Sequence, residues 1–346
     1  MTVWRQNTLS RQLPTRLKAM HGTLRFALAT LVVLSHLGRA GYFSVGASAV
    51  VVFYMLAGFV VMDLMAKHFS GRLLAFYAER LLRILPLYLA MLFLAGAFVF
   101  ATGFASPDAS LAKLLANVIV VPLNYFMFLD VSIVRDYALL PTAWSLGAEL
   151  QAYAILPFLL RNQATKWIAG IGSLLVFSAS AVGVIDPGIW GYRLLPGVIF
   201  IFLGGAAVCR SLRHEPDRFD SLFPGLAWMW LLVIGLVLTT HQWLKVDTGS
   251  VLLGYLIGLP ILVHSSSTKI RLPYDGLLGR LSYGVFLIHL PASWMLEYIG
   301  VNPLRTVGIL ATMALSIVIS AAVTATIEQW VWPTRKRLSK GANEAT

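Results

Sequence analysis

An arginine and a histidine lie on one face of the first apolar segment of the chain. Arg25 and His36 are eleven residues apart, so on a helix, at roughly 100° per residue, they point within about 20° of each other. Their separation along the axis is about 16 Å, which puts one near each end of the segment. A charge in hydrocarbon costs about 2.5–3.5 kcal/mol on insertion scales. One interpretation is that Arg25 anchors the helix at the membrane surface and His36 packs at the interface. The other is that both line one polar channel, in which the His36 imidazole accepts protons.

Two arginines and a polar stripe follow in later segments. Arg80 and Arg83 are neighbours on a helix face. They suit either lipid headgroups or a polyanionic ligand, because guanidinium forks match phosphate oxygens. Ser145, Glu149 and Tyr153 recur every four residues and form one stripe. Its carboxylate can accept a proton, orient a histidine or bind a sugar hydroxyl, unless the stripe is a structural hydrogen-bonded cluster.

A second histidine lies in an apolar segment late in the chain. His289 and Ser282 are seven residues apart and share a helix face, with Tyr283 beside the serine. A histidine near mid-membrane needs hydrogen-bond partners whether it packs or reacts. The chain has one cysteine, Cys209, and no HExxH or paired-cysteine pattern. We therefore expect no metal site.

The composition indicates which elements position these groups. Of the 346 residues, 58% are hydrophobic and 12% are charged, whereas a soluble domain has about 25% charged residues. Apolar runs of about twenty residues recur, and each is long enough to cross a bilayer as a helix. The run 231–238 does not alternate as a barrel strand does. The prediction is an all-α integral membrane protein, a bundle of about ten transmembrane helices. The predicted spans are 24–38, 45–66, 84–104, 142–160, 167–185, 194–209, 222–240, 248–265, 281–299 and 306–331.

The distribution of positive charge decides the topology. The apolar segment 111–129 is ambiguous, because Asn117, Pro122 and Asn124 interrupt it. If it does not cross, 21 of the 27 lysines and arginines fall on one side of the membrane and six on the other. That asymmetry follows the positive-inside rule, and counting the segment as a span would destroy it. We therefore predict that 105–141 is an external excursion with a re-entrant or surface-lying helix.

This topology defines one domain in the cell membrane with both termini in the cytoplasm. The predicted parts are a tail 1–23, a transmembrane domain 24–331 and a tail 332–346. The net charge of +12 then reflects cytoplasmic loops and tails, so nucleic acid is not an expected partner.

Five sequence blocks, in this order, resemble the acyltransferase 3 family of membrane O-acyltransferases. That family carries an Arg…His pair, an FFxLSGF-like run, an RxxR block with nearby Pro and Tyr, a WSLxxExxxY block and an SYxxYxxHxP block. The matching residues here are Arg25 and His36; the run 53–59; Arg80, Arg83, Pro86 and Tyr88; Trp144, Ser145, Leu146, Glu149 and Tyr153; and Ser282, Tyr283, His289 and Pro291. The resemblance spans residues 22–338.

The chain departs from the family pattern at four places. Residues 46–50 contain no acid, and Leu150 stands where a second acid often follows the glutamate. Both departures bear on acceptor binding. Ala57 replaces the usual serine of the second block, and Phe286 replaces the second tyrosine of the last block. None of the four changes a residue that the resemblance makes catalytic.

The resemblance implies transfer of an acyl group, most often acetyl, from cytoplasmic acyl-CoA to a hydroxyl of a carbohydrate or glycolipid acceptor, with no bound cofactor. It implies that His36 is the general base, with His289 as its competitor. Glu149 would orient His36 or hold the acceptor. The donor-binding residues are then Arg25, Arg80 and Arg83, and the supporting residues are Ser145, Tyr153, Ser282, Tyr283 and His289.

Two other classes of function fit the same residues. A transporter or flippase for a carbohydrate or lipid-linked substrate also needs polar groups among its helices. A purely structural membrane partner leaves the Arg25–His36 pair and the stripe on 145–153 without a role. The enzyme's partners would be acyl-CoA, the acceptor and membrane lipids, and release of CoA from acetyl-CoA would separate it from a transporter.

Overall fold

The computed structural model describes residues 20–38, 44–104, 111–128, 139–268 and 272–340. Within these ranges the chain forms eleven α-helices, one 3-10 helix and one π-helical segment, and no strand. The all-α prediction is therefore confirmed for the described part of the chain. Most of the predicted tail 1–23, and parts of the predicted segments 105–141 and 332–346, lie outside the described residues.

Each predicted span overlaps one long helix. The helices are α1 His21–Leu37, α2 Val45–Lys67, α3 Leu73–Thr102, α4 Leu111–Ile119, α5 Ala143–Leu159, α6 Gln163–Ala181, α7 Leu195–Arg213, α8 Arg218–Thr240, α9 Val246–Ser267, α10 Asp275–Tyr298 and α11 Thr306–Lys340. The 3-10 helix Val121–Phe128 follows α4, and the π-helical segment Pro187–Arg193 precedes α7.

Seven of these helices are long and apolar enough to cross a membrane, namely α2, α3, α6, α7 together with its π-helical segment, α8, α9 and α11. The chain is therefore a multi-pass membrane protein. The predicted spans in α1, α5 and α10 are not in this set, because α1 and α5 have only 17 residues each and α10 carries several polar residues. The count of ten crossings stays a prediction.

The last helix extends past the predicted end of the tenth span. α11 continues to Lys340, whereas the predicted span ends at 331 and the predicted tail begins at 332. The first part of that tail is therefore helical, and Arg335 within it lines a cavity. The point at which this helix leaves the membrane stays a prediction.

The segment between α3 and α5 does not cross the bundle as one helix. α4 has nine residues, about 14 Å of helix, and the chain breaks at Val120, whose φ is +70°. The ends of α3 and α10 meet where Phe98 packs on Tyr298. The start of α5 meets α10 one turn before His289, where Thr142 donates to the carbonyl of Phe286. The chain therefore leaves α3 and enters α5 on the same face.

α1 and α10 lie side by side and run in the same direction. At one end, the backbone N–H of Thr23 donates to Asp275 Oδ1 at 2.7 Å. At the other end, His36 Nδ1 lies 2.8 Å from His289 Nε2. We call the face where α1 begins the basic face, because Arg335 also lies there, and the opposite face the histidine face.

Glycines let the helices around the site approach closely. A Cβ on Gly22 would lie 1.9 Å from the carbonyl oxygen of Asp275, and one on Gly279 would lie 2.9 Å from the Cα of Gly22. Cβ atoms on Gly58 and Gly205 would each lie 1.9 Å from a carbonyl oxygen of the facing helix, α7 or α2. Small residues at such contacts let membrane helices gain dispersion energy through close backbone packing. The α1–α10 contact is what brings the two histidines together.

The predicted orientation has a direct test. In a variant with the buried Cys209 replaced by serine, one new cysteine would be placed at Val184 or at Glu215. Both side chains are exposed in loops. The two loops lie at opposite ends of α7, so the two cysteines would report on opposite faces. We expect an impermeant maleimide added outside intact cells to label Val184→Cys, on the histidine face, and not Glu215→Cys. Glu215→Cys should react after permeabilisation. Labelling of Glu215→Cys in intact cells would reverse the predicted topology.

Candidate active site

The larger cavity, which we call the basic cavity, has a volume of about 260 Å³. Its lining includes the guanidinium groups of Arg25, Arg80, Arg83 and Arg335, and the carboxylate of Glu149. The structure therefore brings together all three predicted donor-binding arginines and the predicted glutamate. A wall with four cations and one anion favours a polyanionic ligand.

Glu79 is a positioning residue that the sequence analysis missed. One of its buried carboxylate oxygens accepts from Arg80 Nε at 2.6 Å. The other accepts from Arg335 Nη2 at 2.7 Å and from Nε at 3.1 Å. A single carboxylate thus fixes guanidinium groups from α3 and α11 at the cavity wall. Arg335 lies 256 residues from Glu79 in the chain, so no local pattern in the sequence signals the pair.

The predicted polar stripe of α5 faces the same cavity. Ser145, Glu149 and Tyr153 all line it, and the Tyr153 hydroxyl donates to the Glu149 carboxylate. The Arg80 guanidinium lies over the Tyr153 ring, 5.7 Å from its centre. Ser145 donates to the carbonyl of Thr142 at 3.0 Å. The stripe is a hydrogen-bonded cluster and also the wall of a cavity, so its functional role stays a prediction.

Ser282 and Tyr283 of α10 also line the basic cavity. The Ser282 hydroxyl donates to the carbonyl of Gly279 at 3.0 Å, and the Tyr283 hydroxyl lies 3.4 Å from the carbonyl of Ile84. Both hydroxyls have backbone partners, and these hydrogen bonds fix their positions in the wall of the cavity.

The second cavity, which we call the histidine cavity, has a volume of about 190 Å³. Its lining includes His36, two aromatic side chains, Trp144 and Tyr192, and two charged ones, Arg193 and Asp247. The Arg193 guanidinium lies 5.2 Å from the centre of the Trp144 ring and 5.6 Å from that of Tyr192. Aromatic faces beside charged hydrogen-bonding groups suit a polyhydroxylated ligand, which presents both apolar C–H faces and hydroxyl groups.

The two cavities adjoin at one point. Val50, Ser145 and Phe286 line both of them, and we call this shared wall the junction. Arg25 therefore lines the basic cavity and His36 the histidine cavity. The structure thus has two cavities, one near each end of α1, where the sequence analysis predicts one polar channel.

His36 and His289 form a pair whose tautomers follow from their partners. His289 Nδ1 lies 2.9 Å from the carbonyl oxygen of Phe286 and 3.2 Å from that of Val285. Carbonyl oxygens only accept, so His289 Nδ1 carries the proton and Nε2 presents a lone pair. His36 Nδ1, 2.8 Å away, donates to that lone pair. His36 Nε2 is then the nitrogen that can take a proton.

His289 and Glu149 lie differently with respect to His36. His289 contacts His36 through a buried ring nitrogen, so it is in a position to orient the His36 ring. Glu149 lies with the arginines in the lining of the basic cavity, whereas His36 lines the histidine cavity. The catalytic roles of the three residues stay predictions.

Tyr192 and Arg193 are further residues that the sequence analysis missed. They end the π-helical segment Pro187–Arg193, which begins after Asp186, whose Oδ1 accepts from the N–H of Ile189 at 2.8 Å. π-Helical turns are rare and occur often at functional sites. An aspartate followed by proline is a recognisable start signal for a helix, but nothing local indicates that the segment closes a cavity.

Asp63, Cys209 and His214 are a cluster that the sequence did not predict. Their side-chain ligand atoms lie within 4.8 Å of one another. Asp63 is already paired with Lys67 at 2.6 Å and with Arg213 at 3.0 Å. Burial lowers the pKa of His214, so its imidazole is neutral at pH 7. Two cations at the only carboxylate of this cluster oppose the binding of a metal ion.

Comparison with known protein families decides the class of the molecule. A family model for an acyltransferase domain, that of the acyltransferase 3 family, matches residues 23–325. The chain belongs to the acyltransferase 3 family. The resemblance drawn from the five sequence blocks is therefore confirmed, and the basic and histidine cavities lie within the matched domain apart from Arg335.

Two relatives of this acyltransferase 3 chain differ in what their names say. An uncharacterized protein of Aquifex aeolicus (strain VF5) is 33% identical over 192 residues, which are 53% of this chain and 82% of that protein. The exopolysaccharide production protein ExoZ of Rhizobium meliloti (strain 1021) is 26% identical over 254 residues, 72% of this chain and 77% of ExoZ. No solved structure matches the chain significantly.

Proposed function

We propose that this acyltransferase transfers an acyl group, acetyl in the first instance, from acyl-CoA in the basic cavity to a carbohydrate hydroxyl in the histidine cavity. The observation that carries the proposal is the junction of Val50, Ser145 and Phe286, where a cavity lined by arginines adjoins one lined by an imidazole. Membership of the family supports acyl transfer. The name of ExoZ, a protein of exopolysaccharide production, supports a carbohydrate acceptor.

The arginines suit the donor. Acyl-CoA carries several phosphate groups, and guanidinium forks bind phosphate oxygens through two parallel bonds. The basic cavity, at about 260 Å³, is smaller than the roughly 300–1,000 Å³ of pockets that bury a drug-sized ligand. It therefore takes only part of acyl-CoA. We assign it the acyl group and the end of the pantetheine arm, with the phosphates held by the guanidinium groups towards the basic face.

The histidine pair suits the acceptor. The hydroxyl oxygen of the acceptor attacks the carbonyl carbon of the thioester while His36 Nε2 takes the hydroxyl proton. Collapse of the tetrahedral intermediate breaks the C–S bond, and the sulfur leaves as thiolate. His36 then returns the proton to that sulfur and regenerates its neutral form. Throughout, His289 Nε2 accepts from His36 Nδ1, which stabilises the imidazolium and holds the ring in one orientation.

The acceptor site favours one sugar unit at a time. A volume of about 190 Å³ equals about six waters at roughly 30 Å³ each, which is the room of one sugar ring. Trp144 and Tyr192 offer the ring an apolar face, and Asp247 and Arg193 offer an acceptor and a donor for its hydroxyls. The His36 side chain is exposed at the end of α1, so a polymer can reach it from the histidine face.

Glu79→Gln tests whether the carboxylate between the arginines serves the donor site. The amide cannot neutralise Arg80 and Arg335, so both guanidinium groups should lose their fixed positions. We expect the KM for acetyl-CoA to rise about ten-fold, since a hydrogen bond to a charged group contributes about 1.5–3 kcal/mol, and the KM for the acceptor to stay within two-fold. Glu215→Gln is the control, because the Glu215 side chain is exposed in a loop and lines neither cavity. Equal effects of the two substitutions would contradict the assignment of Glu79.

The proposed function is tested by the reaction itself. Purified protein in lipid nanodiscs would be mixed with acetyl-CoA and with surface polysaccharide from cells that lack the gene. We expect CoA release that depends on the polysaccharide, and an alkali-labile O-acetyl ester in the product by mass spectrometry. A transporter or flippase would instead move the polysaccharide or its lipid-linked precursor across sealed vesicles without releasing CoA, and that result would overturn the proposal.

A further inference from the structure

Tyr54 of α2 is buried and its hydroxyl has no partner. The side chain is 2% exposed, and among the described residues no hydrogen-bond partner reaches its oxygen. The ring stacks on Phe202, with centres 4.7 Å apart. A buried hydroxyl without a partner destabilises the folded protein, so it is a place where a ligand can supply the missing bond.

The position of Tyr54 relates this hydroxyl to both cavities. Tyr54 lines the basic cavity and lies one helical turn from Val50, which lines both cavities at the junction. One turn of helix is about 6 Å along the axis. The phenol therefore lies in the wall of the basic cavity, within one helical turn of the junction.

We propose that the Tyr54 hydroxyl binds the carbonyl oxygen of the donor's acyl group and stabilises the negative charge that forms on it. This inference rests on the proposed function. As the acceptor oxygen bonds to the carbonyl carbon, the π electrons of C=O move to the oxygen, and the Tyr54 O–H donates to that oxyanion. When the C–S bond breaks, the electrons return and the hydrogen bond weakens. Tyr54 donates throughout and gives up no proton.

Packing does not need the phenol oxygen of Tyr54. Its ring stacks on Phe202, and a phenyl ring would stack in the same way. The oxygen is closed to solvent, so a donor bound in the basic cavity, and not bulk water, would supply the hydrogen bond that it lacks.

Tyr54→Phe tests whether the hydroxyl is catalytic or only packs. Loss of a catalytic hydroxyl lowers kcat, whereas loss of a hydroxyl that only packs changes the melting temperature and leaves kcat unchanged. The ring stays on Phe202, and the loss of an unsatisfied oxygen should raise the melting temperature of the ligand-free protein by about 2–4 °C. We expect kcat to fall about 10²-fold or more, as for removal of one oxyanion donor, with the KM for acetyl-CoA within three-fold of normal.

Tyr255→Phe is the matched control. The Tyr255 hydroxyl is likewise buried and without a partner among the described residues, and its ring packs on Phe200 at 5.5 Å. It lies outside the lining of both cavities. Tyr255→Phe should therefore stabilise the protein to a similar degree and leave kcat unchanged.

The outcomes are distinct for the two proposals. A Tyr54→Phe protein that is folded and keeps a normal kcat overturns the assignment of Tyr54, while acyl transfer by the wild-type protein still supports the proposed function. A fall in kcat of the same size in Tyr255→Phe also overturns it, since the effect would then belong to the fold. A wild-type protein that binds acetyl-CoA and transfers no acyl group to any hydroxyl defeats the proposed function, and the Tyr54 assignment with it.

Discussion

His36→Ala should lower kcat for acyl transfer by about 10²–10⁴-fold, the contribution of a general base. The KM and the dissociation constant for acetyl-CoA should stay within a few-fold of normal, because His36 lines the histidine cavity and the donor is assigned to the basic cavity. Both are measured on protein in nanodiscs, by CoA release and by equilibrium binding. His241→Ala is the control, since that histidine is exposed in a loop on the same face. A His36→Ala protein that acylates at a comparable rate would show that the mechanism is wrong.

The partner histidine gives the same prediction a second readout. His289→Gln places an amide oxygen where His289 Nε2 accepts from His36 Nδ1, whereas His289→Leu removes the acceptor. We expect kcat to decrease in the order wild type, His289→Gln, His289→Leu, with donor affinity unchanged, because a base in the wrong tautomer cannot take the proton. If both variants lose only stability, His289 is a packing residue. If His289→Leu alone is inactive and His36→Ala is active, the two histidines exchange roles.

The helical class of the fold could be predicted from the sequence, because a chain that spans a membrane must satisfy its own backbone hydrogen bonds. Long apolar runs predict helices, and the basic loops predict which helix ends share a face. α3 begins at Leu73, before the predicted start of the third span at 84. The sequence places Arg80 and Arg83 on one helix face but gives no partner for them, and Arg80 is buried and paired with Glu79 inside the helix. Hydropathy alone cannot distinguish a paired charge from an exposed one.

The sequence predicts which residues of the candidate site share a face of one helix, but not which residues of different helices contact each other. Spacing placed Arg25 with His36 and Ser145 with Glu149, because residues on one helix have a fixed geometry. The contact between His36 and His289 joins helices 253 residues apart in the chain, and it depends on backbone approach at glycines. Sequence periodicity carries no information about such a contact. For the same reason the sequence does not predict that His289 contacts His36, and it gives no role to Glu79 or Arg193.

Arg80→Gln/Arg83→Gln should raise the KM for acetyl-CoA by about 10²-fold or more, because hydrogen bonds to charged groups contribute about 1.5–3 kcal/mol each. The acceptor KM should change little. The double variant should also lose most of the salt dependence of donor binding, since screening acts on the charges that it removes. The measurement is a titration of acetyl-CoA at several salt concentrations, with the acceptor saturating.

Two further variants make the result interpretable. Arg218→Gln/Arg280→Gln removes the same charge from exposed positions on the same face, and should leave the donor KM within two-fold. Arg80→Lys/Arg83→Lys keeps the charge and loses the forks, so it should restore salt dependence and only part of the affinity. Full recovery with lysine would mean that the pair attracts phosphate as simple charge. An unchanged donor KM in a folded Arg80→Gln/Arg83→Gln protein would contradict donor binding and would instead favour the alternative that these arginines contact lipid headgroups at the membrane surface.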